Sequence, residues 1–172
     1  MKRAIDEDIL CKYYYYPHLV KLTKDEFSDY KEISAKLVRH LNFKNNDSKL
    51  SPIAEILLLE RKRIIQKAKN KLTQTINILQ KQFDENGDLK FTFLYSPEGF
   101  ERTDDDEVSE EEEIRIISKY TREIAKIDKS ITIDQFIGGM KDKSSVLRNF
   151  ENGKIHILAS MKCLDEGVDV PR

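Results

Sequence analysis

Asn152-Gly153-Lys154-Ile155-His156-Ile157-Leu158-Ala159-Ser160 decides the fold class. Asn-Gly is a turn signal, and Ile155 to Ala159 is a short apolar run rich in β-branched residues, too short for a helix and unbroken by polar alternation. Such a run reads as a strand candidate. Just upstream, Lys143 to Glu151 has helical spacing and presents Leu147 and Phe150 to one side. Further upstream lie two more strand candidates, Phe91 to Tyr95 and Ile131 to Ile137. Between them a helix is expected from Ser109, with Glu112 completing a capping box and Ile114, Ile117, Ile124 and Ile127 on its buried face. Strands alternating with helices predict two βαβ crossovers and an α/β parallel sheet with flanking helices.

The first half of the chain has a different grammar. Tyr13-Tyr14-Tyr15-Tyr16-Pro17 reads as an edge strand or an irregular connector, because proline removes a ladder donor. Thr23 and Glu26 form a capping box ahead of Phe27, Tyr30, Ile33, Leu37, Val38 and Leu41, which recur at helical spacing. Ser51 as cap and Pro52 in the first turn open a second helix, whose stripe runs through Leu57, Ile64, Ala68, Leu72, Ile76, Leu79 and Phe83 to a stop at Asn86-Gly87. The expected organisation is a helical region over residues 1–88 followed by the α/β unit over 89–172.

Composition narrows the function classes. Charged residues make up 35% of the 172 positions and the hydrophobic set 39%, a balance that fits helices solvated on one face. No apolar run approaches the roughly 20 residues of a membrane span, and Met1-Lys2-Arg3-Ala4-Ile5-Asp6 has no apolar signal core, so no membrane association and a cytoplasmic setting are expected. Cys11 and Cys163 have the spacing of neither a zinc site nor a disulfide framework. Thirty Lys and Arg against 31 Asp and Glu leave no global field to attract nucleic acid, so any such contact is local. The acidic run from Asp104 to Glu113 reads as a solvated loop and helix start. None of the six glycines fits the phosphate-wrapping pattern G-x-x-x-x-G-K-[ST]. His18, His40, His156 and Asp134 have no ligand-like spacing.

The segment after the third strand, Leu164-Asp165-Glu166-Gly167-Val168-Asp169-Val170-Pro171, resembles motif V of superfamily 2 helicases, and Leu147-x-x-Phe150-x-x-Gly153 is the spacing that leads into it. Phe91-Thr92-Phe93-Leu94-Tyr95-Ser96 is similar to motif IV, the first strand of the second RecA-like domain. The basic stretch Arg61 to Lys71 and the Tyr-rich lead-in resemble the inter-domain region of bacterial helicases related to restriction enzymes and XPB, of the DEAD/DEAH type.

The resemblance implies a truncated C-terminal RecA-like motor domain, ending at Arg172 before motif VI. It would supply one wall of an ATP cleft in a helicase or translocase and be inactive alone. It assigns Gly167, Asp169 and Glu166 to the nucleotide side. Physically, Gly167 allows close backbone approach and the Asp169 carboxylate accepts from a ribose hydroxyl. Ser160 and Lys162 would lie toward the nucleic-acid backbone, with Arg61 and Arg63 as further contacts. Met161 departs from the threonine that many helicases carry there. ATP and Mg²⁺ are implied for the parent protein, with none held tightly by this chain. The implied partners are nucleic acid, DNA ahead of RNA, and the N-terminal RecA-like domain of the same polypeptide. A Gly-x-Asp turn is also a common structural turn, and a basic helical face is usually solvated surface. Two other classes stay open, a non-catalytic α/β interaction module and a small-molecule-binding doubly wound domain.

Overall fold

A computed structural model describes residues 12–41, 50–97, 100–101, 114–138, 140 and 142–161. Residues 12–23 are an irregular lead-in without helix or strand, and Tyr13 to Tyr16 are exposed along it. Thr23 then caps helix α1, Lys24–His40, with the expected reciprocal bonds: its hydroxyl accepts the N–H of Glu26 at 3.3 Å and Glu26 Oε2 accepts the N–H of Thr23 at 2.8 Å. Ser51 caps helix α2, Pro52–Gln66, by accepting the N–H of Ala54 at 3.2 Å. The two helices pack through Leu37, Ala54 and Leu57, flanked by Ile33, Leu41 and Leu58.

The long helix expected from Ser51 to Phe83 is two helices. After α2 the chain turns at Lys67 to Lys69, and helix α3 occupies Asn70–Asn86. Bonds from outside the segment make the break. The N–H of Lys69 donates to Glu26 Oε1 at 2.9 Å, and the Asn70 side-chain amide donates to the Lys21 carbonyl at 2.8 Å. An asparagine that bonds away from the helix axis favours a helix start over a helix interior. At the far end Gly87 adopts φ 77°, a left-handed conformation that costs glycine least, and its N–H returns to the Phe83 carbonyl at 2.8 Å. The Asn86-Gly87 stop is therefore where the sequence puts it.

The sheet contains β1 (Thr92–Tyr95), β4 (Ile133–Phe136) and β5 (Ile157–Ser160), all parallel, in the order β1-β5-β4. The last strand is thus the central one, and all four of its residues are buried. The intervening segment departs from expectation. Ile114–Arg115 form a short strand β3 that pairs antiparallel with β2, Phe100–Glu101, and helix α4 starts only at Ile116 and runs to Ile124. Ile114 and Arg115 belong to β structure instead of the expected helix, and the β-branched run Ile114 to Ile117 suits both states. Ser109 and Glu112 lie outside the described residues.

Two cores flank the sheet. On one face, α3 and α4 bury Leu79, Ile116, Tyr120 and Ile124 against Leu89, Ile131 and Ile157. On the other, α5 (Lys143–Glu151) sets Phe150, with Val146 and Leu147, against Phe136, Ile155 and Leu158. Asp142 caps α5 by accepting the N–H of Ser145 at 3.0 Å. Among the described residues no helix is long and apolar enough to cross a membrane. The protein is an α/β structure in which a parallel sheet with flanking helices follows a helical N-terminal region.

Candidate functional site

Because the three strands are parallel, Tyr95, Ser160 and Phe136 end on one edge in register. In open α/β sheets, ligands lie in the crevice outside the carboxyl ends of the strands. Ser160 is fully buried at the end of the central strand. Its carbonyl accepts the N–H of Ser96 at 2.9 Å, whereas its hydroxyl has no hydrogen-bond partner among the described residues. Register places that hydroxyl on the α5 face, between Tyr95 and Phe136. A buried hydroxyl without a partner costs on the order of 1–3 kcal/mol. Lys162, Glu166, Gly167 and Asp169 come within ten positions of Ser160 and lie outside the described residues.

The basic stretch is divided by the corner at Lys67 to Lys69. On α2, Arg61 sits over the Tyr30 ring, with its guanidinium carbon 5.6 Å from the centroid, and so faces α1. Arg63 lines a cavity of about 340 Å³ together with Asp29, Glu32 and Glu60. Lys71 lines a cavity of about 460 Å³ at the carboxyl end of β1, together with His18, Val20, Gln66, Gln74, Thr75, Ile78, Tyr95, Ser96, Pro97 and Tyr120. Burial pushes the Lys71 ammonium below the usual lysine value. Lys67, Lys69 and Lys119 line a smaller neighbouring cavity, of about 20 Å³, that shares Pro97 and Tyr120.

The structure therefore brings Ser160 and the end of β1 to one edge and sets Arg61 and Arg63 apart on the helical hairpin. Gln74 escaped the sequence reading, whereas Lys71 belonged to its basic stretch and Ser96 to its motif IV-like phrase. Lys71 and Gln74 share a face of α3 by their i, i+3 spacing, which is the one signal that sequence offers for pairing them. Among the described residues no cluster of three His, Cys, Asp or Glu side chains is arranged to hold a metal ion.

No protein-family model matches this chain, and no curated protein matches it. Among solved structures it is similar to the helicase domain of Hef from Pyrococcus furiosus, with a TM-score of 0.40 and 14% identity over 84% of this chain. The match spans 28% of that chain's length. That similarity assigns no role to any residue here.

Proposed function

We propose that this chain is part of the second RecA-like motor domain of an ATP-dependent nucleic-acid helicase or translocase of superfamily 2. The single observation that carries the reading is the path of β5. A central strand, buried along its length, ends at Ser160 on the carboxyl edge of a parallel sheet, and the motif V-like phrase from Leu164 to Pro171 follows directly in sequence. In this reading Gly167, Asp169 and Glu166 face the nucleotide across an interdomain cleft. Lys162, just past the end of β5, meets the nucleic-acid backbone, DNA ahead of RNA, while the side chain of Ser160, expected there as well, is fully buried and serves to fix the end of that strand. Arg61 and Arg63 are outlying contacts, weakened at Arg63 by Asp29, Glu32 and Glu60.

The proposed mechanism is one of coupling. A ribose hydroxyl donates to the Asp169 carboxylate when the cleft closes, and the same segment adjoins the strand contacts, so nucleotide and nucleic acid bias one two-state closure. The phosphate cradle and the Mg²⁺ carboxylates belong to the partner RecA-like domain of the same polypeptide, since none of the glycines here forms a phosphate loop. Mg²⁺ bound there would neutralise the charge of the transferring phosphoryl group.

The test is Asp169→Ala in the full-length parent. Loss of one hydrogen bond to ribose costs on the order of 1 kcal/mol, so nucleic-acid-stimulated ATPase falls several-fold while the thermal midpoint holds. Wild-type steady-state kinetics in that variant would remove Asp169 from the cleft.

One observation favours a second reading. Ile53, Ile56 and Leu59 stand exposed at i, i+3 and i+6 along α2, an apolar strip suited to a protein partner in a non-catalytic interaction module. A parent gene encoding a phosphate loop and an Asp-Glu box upstream of this segment decides for the motor, and a parent without them decides for the module.

A further inference from the structure

Among the described residues, the cavity at the end of β1 is lined by charge of one sign. Lys71, Gln74, Thr75 and Ile78 follow one another at i, i+3, i+4 and i+7 along α3, and no described Asp or Glu lines the space they border. That polarity is local, because the whole chain has 31 acidic residues against 30 Lys and Arg. The volume, about 460 Å³, falls within the range of small-ligand sites.

The donors around it are weakly engaged. Lys71 Nζ donates to the Gln66 carbonyl at 3.3 Å, which leaves two of the three ammonium N–H groups for a ligand. The Gln74 side-chain amide is 3.5 Å from His18 Nδ1, and the Ser96 hydroxyl is 3.5 Å from the Pro97 carbonyl. Both contacts are at the long limit for a hydrogen bond, so a ligand oxygen displaces them at little cost. Desolvation of Lys71 adds to this, since an ammonium partly removed from water gains more from an anion than an exposed one. Tyr95 borders the cavity where β1 ends.

We propose that this cavity is an anion site that takes a phosphate-bearing ligand, with the phosphate held by Lys71 Nζ, the Gln74 amide and the Ser96 hydroxyl. The site does not rest on the motor reading, since all of its residues lie outside the motif V-like phrase. Two sources offer the same chemistry, a free mononucleotide or a phosphate of a nucleic-acid strand.

The test is calorimetric titration of the full chain at low salt with inorganic phosphate, AMP and a short oligothymidylate. The variants are Lys71→Met, Gln74→Leu and, as a control on the same helix, the exposed Lys81→Met, whose side chain is 3.7 Å from Glu85. A hydrogen bond to a charged group is worth enough that Lys71→Met weakens binding by about tenfold or more. Gln74→Leu weakens it several-fold, and Lys81→Met leaves it as in the wild type. Weaker phosphate or AMP binding identifies the free ligand as the source, and an effect on the oligothymidylate alone identifies the strand. Should Lys71→Met not fold, as judged by circular dichroism, Gln74→Leu gives the same discrimination. No binding of any probe by the wild type, or binding that Lys71→Met and Lys81→Met alter equally, overturns the proposal.

Discussion

Glu26 joins two helix starts: its Oε2 accepts the N–H of Thr23 at 2.8 Å, and its Oε1 accepts the N–H of Lys69, 43 positions away, at 2.9 Å. One carboxylate thus completes the cap of α1 and pins the corner between α2 and α3. Lys69, the cap position of α3, has no side-chain cap of its own. The Glu26 charge lies near the positive end of the α3 dipole instead. Glu26→Ala should destabilise the protein by about 1–2 kcal/mol, read as a lower urea midpoint at unchanged slope.

Glu26 also sets a pH dependence. Burial pushes its carboxyl up, but the N–H groups of Thr23 and Lys69, the Thr23 hydroxyl and the Lys69 charge together outweigh burial and leave it below the ordinary carboxylate value. A lowered folded value means that the unfolded chain binds the proton more readily. The stabilisation is therefore complete above about pH 4.5 and is lost as pH falls through the lowered folded value. Stability curves of wild type and Glu26→Gln should run parallel above that pH and converge below it. Curves that stay parallel into acid would remove the carboxylate from the corner.

Ser160→Ala should stabilise the chain by about 1 kcal/mol, because it removes a buried hydroxyl that has no partner among the described residues and leaves the strand intact. In the parent the same change should leave nucleic-acid binding as in the wild type, since the hydroxyl is fully buried. A thermal midpoint that falls would show a partner for the Ser160 hydroxyl in the isolated chain.

Salt dependence ranks the proposed strand contacts. Removing a single phosphate interaction makes the slope of log K against log salt shallower by about one unit. Lys162→Gln in the parent should show that change, and Arg63→Gln a smaller one, because Asp29, Glu32 and Glu60 share the Arg63 cavity. Equal changes in slope would mean that those carboxylates do not screen Arg63.

The purified chain should release no phosphate from ATP, as no glycine in it belongs to a phosphate loop. Steady turnover that survives further purification and is abolished by a substitution within these residues would refute the motor reading.

Where local chemistry decides, the sequence was readable. The Thr23-Glu26 box, the Ser51-Pro52 start, the Gly87 stop and the three parallel strands all follow from neighbours a few positions apart. The break at Lys67 to Lys69 does not. Arg, Lys, Gln and Ala favour helix throughout that stretch, and it is interrupted by Glu26 and Lys21 from far upstream. The pairing of Ile114–Arg115 was hidden because two residues at a helix start fit either period. The cavity at the end of β1 was illegible for the same reason as the break, being assembled from the lead-in, α2, α3, β1 and α4. The motif V-like phrase shows the reverse, legible as a resemblance and outside the described residues.

The position of β5 has a consequence for how the chain comes together. Among the described strands, β1 and β4 are hydrogen-bonded to β5 and not to each other. During synthesis both emerge before the residues that pair them, so their backbone groups stay open until 157–160 arrive. Adding β1 must then close the loop from Thr92 to Ile157, longer than the one from Ile133 to Ile157 that pairs β4, and that closure entropy slows folding. A nascent or clipped chain lacking that last strand would present two unpaired edges flanked by apolar side chains, a natural substrate for chaperones.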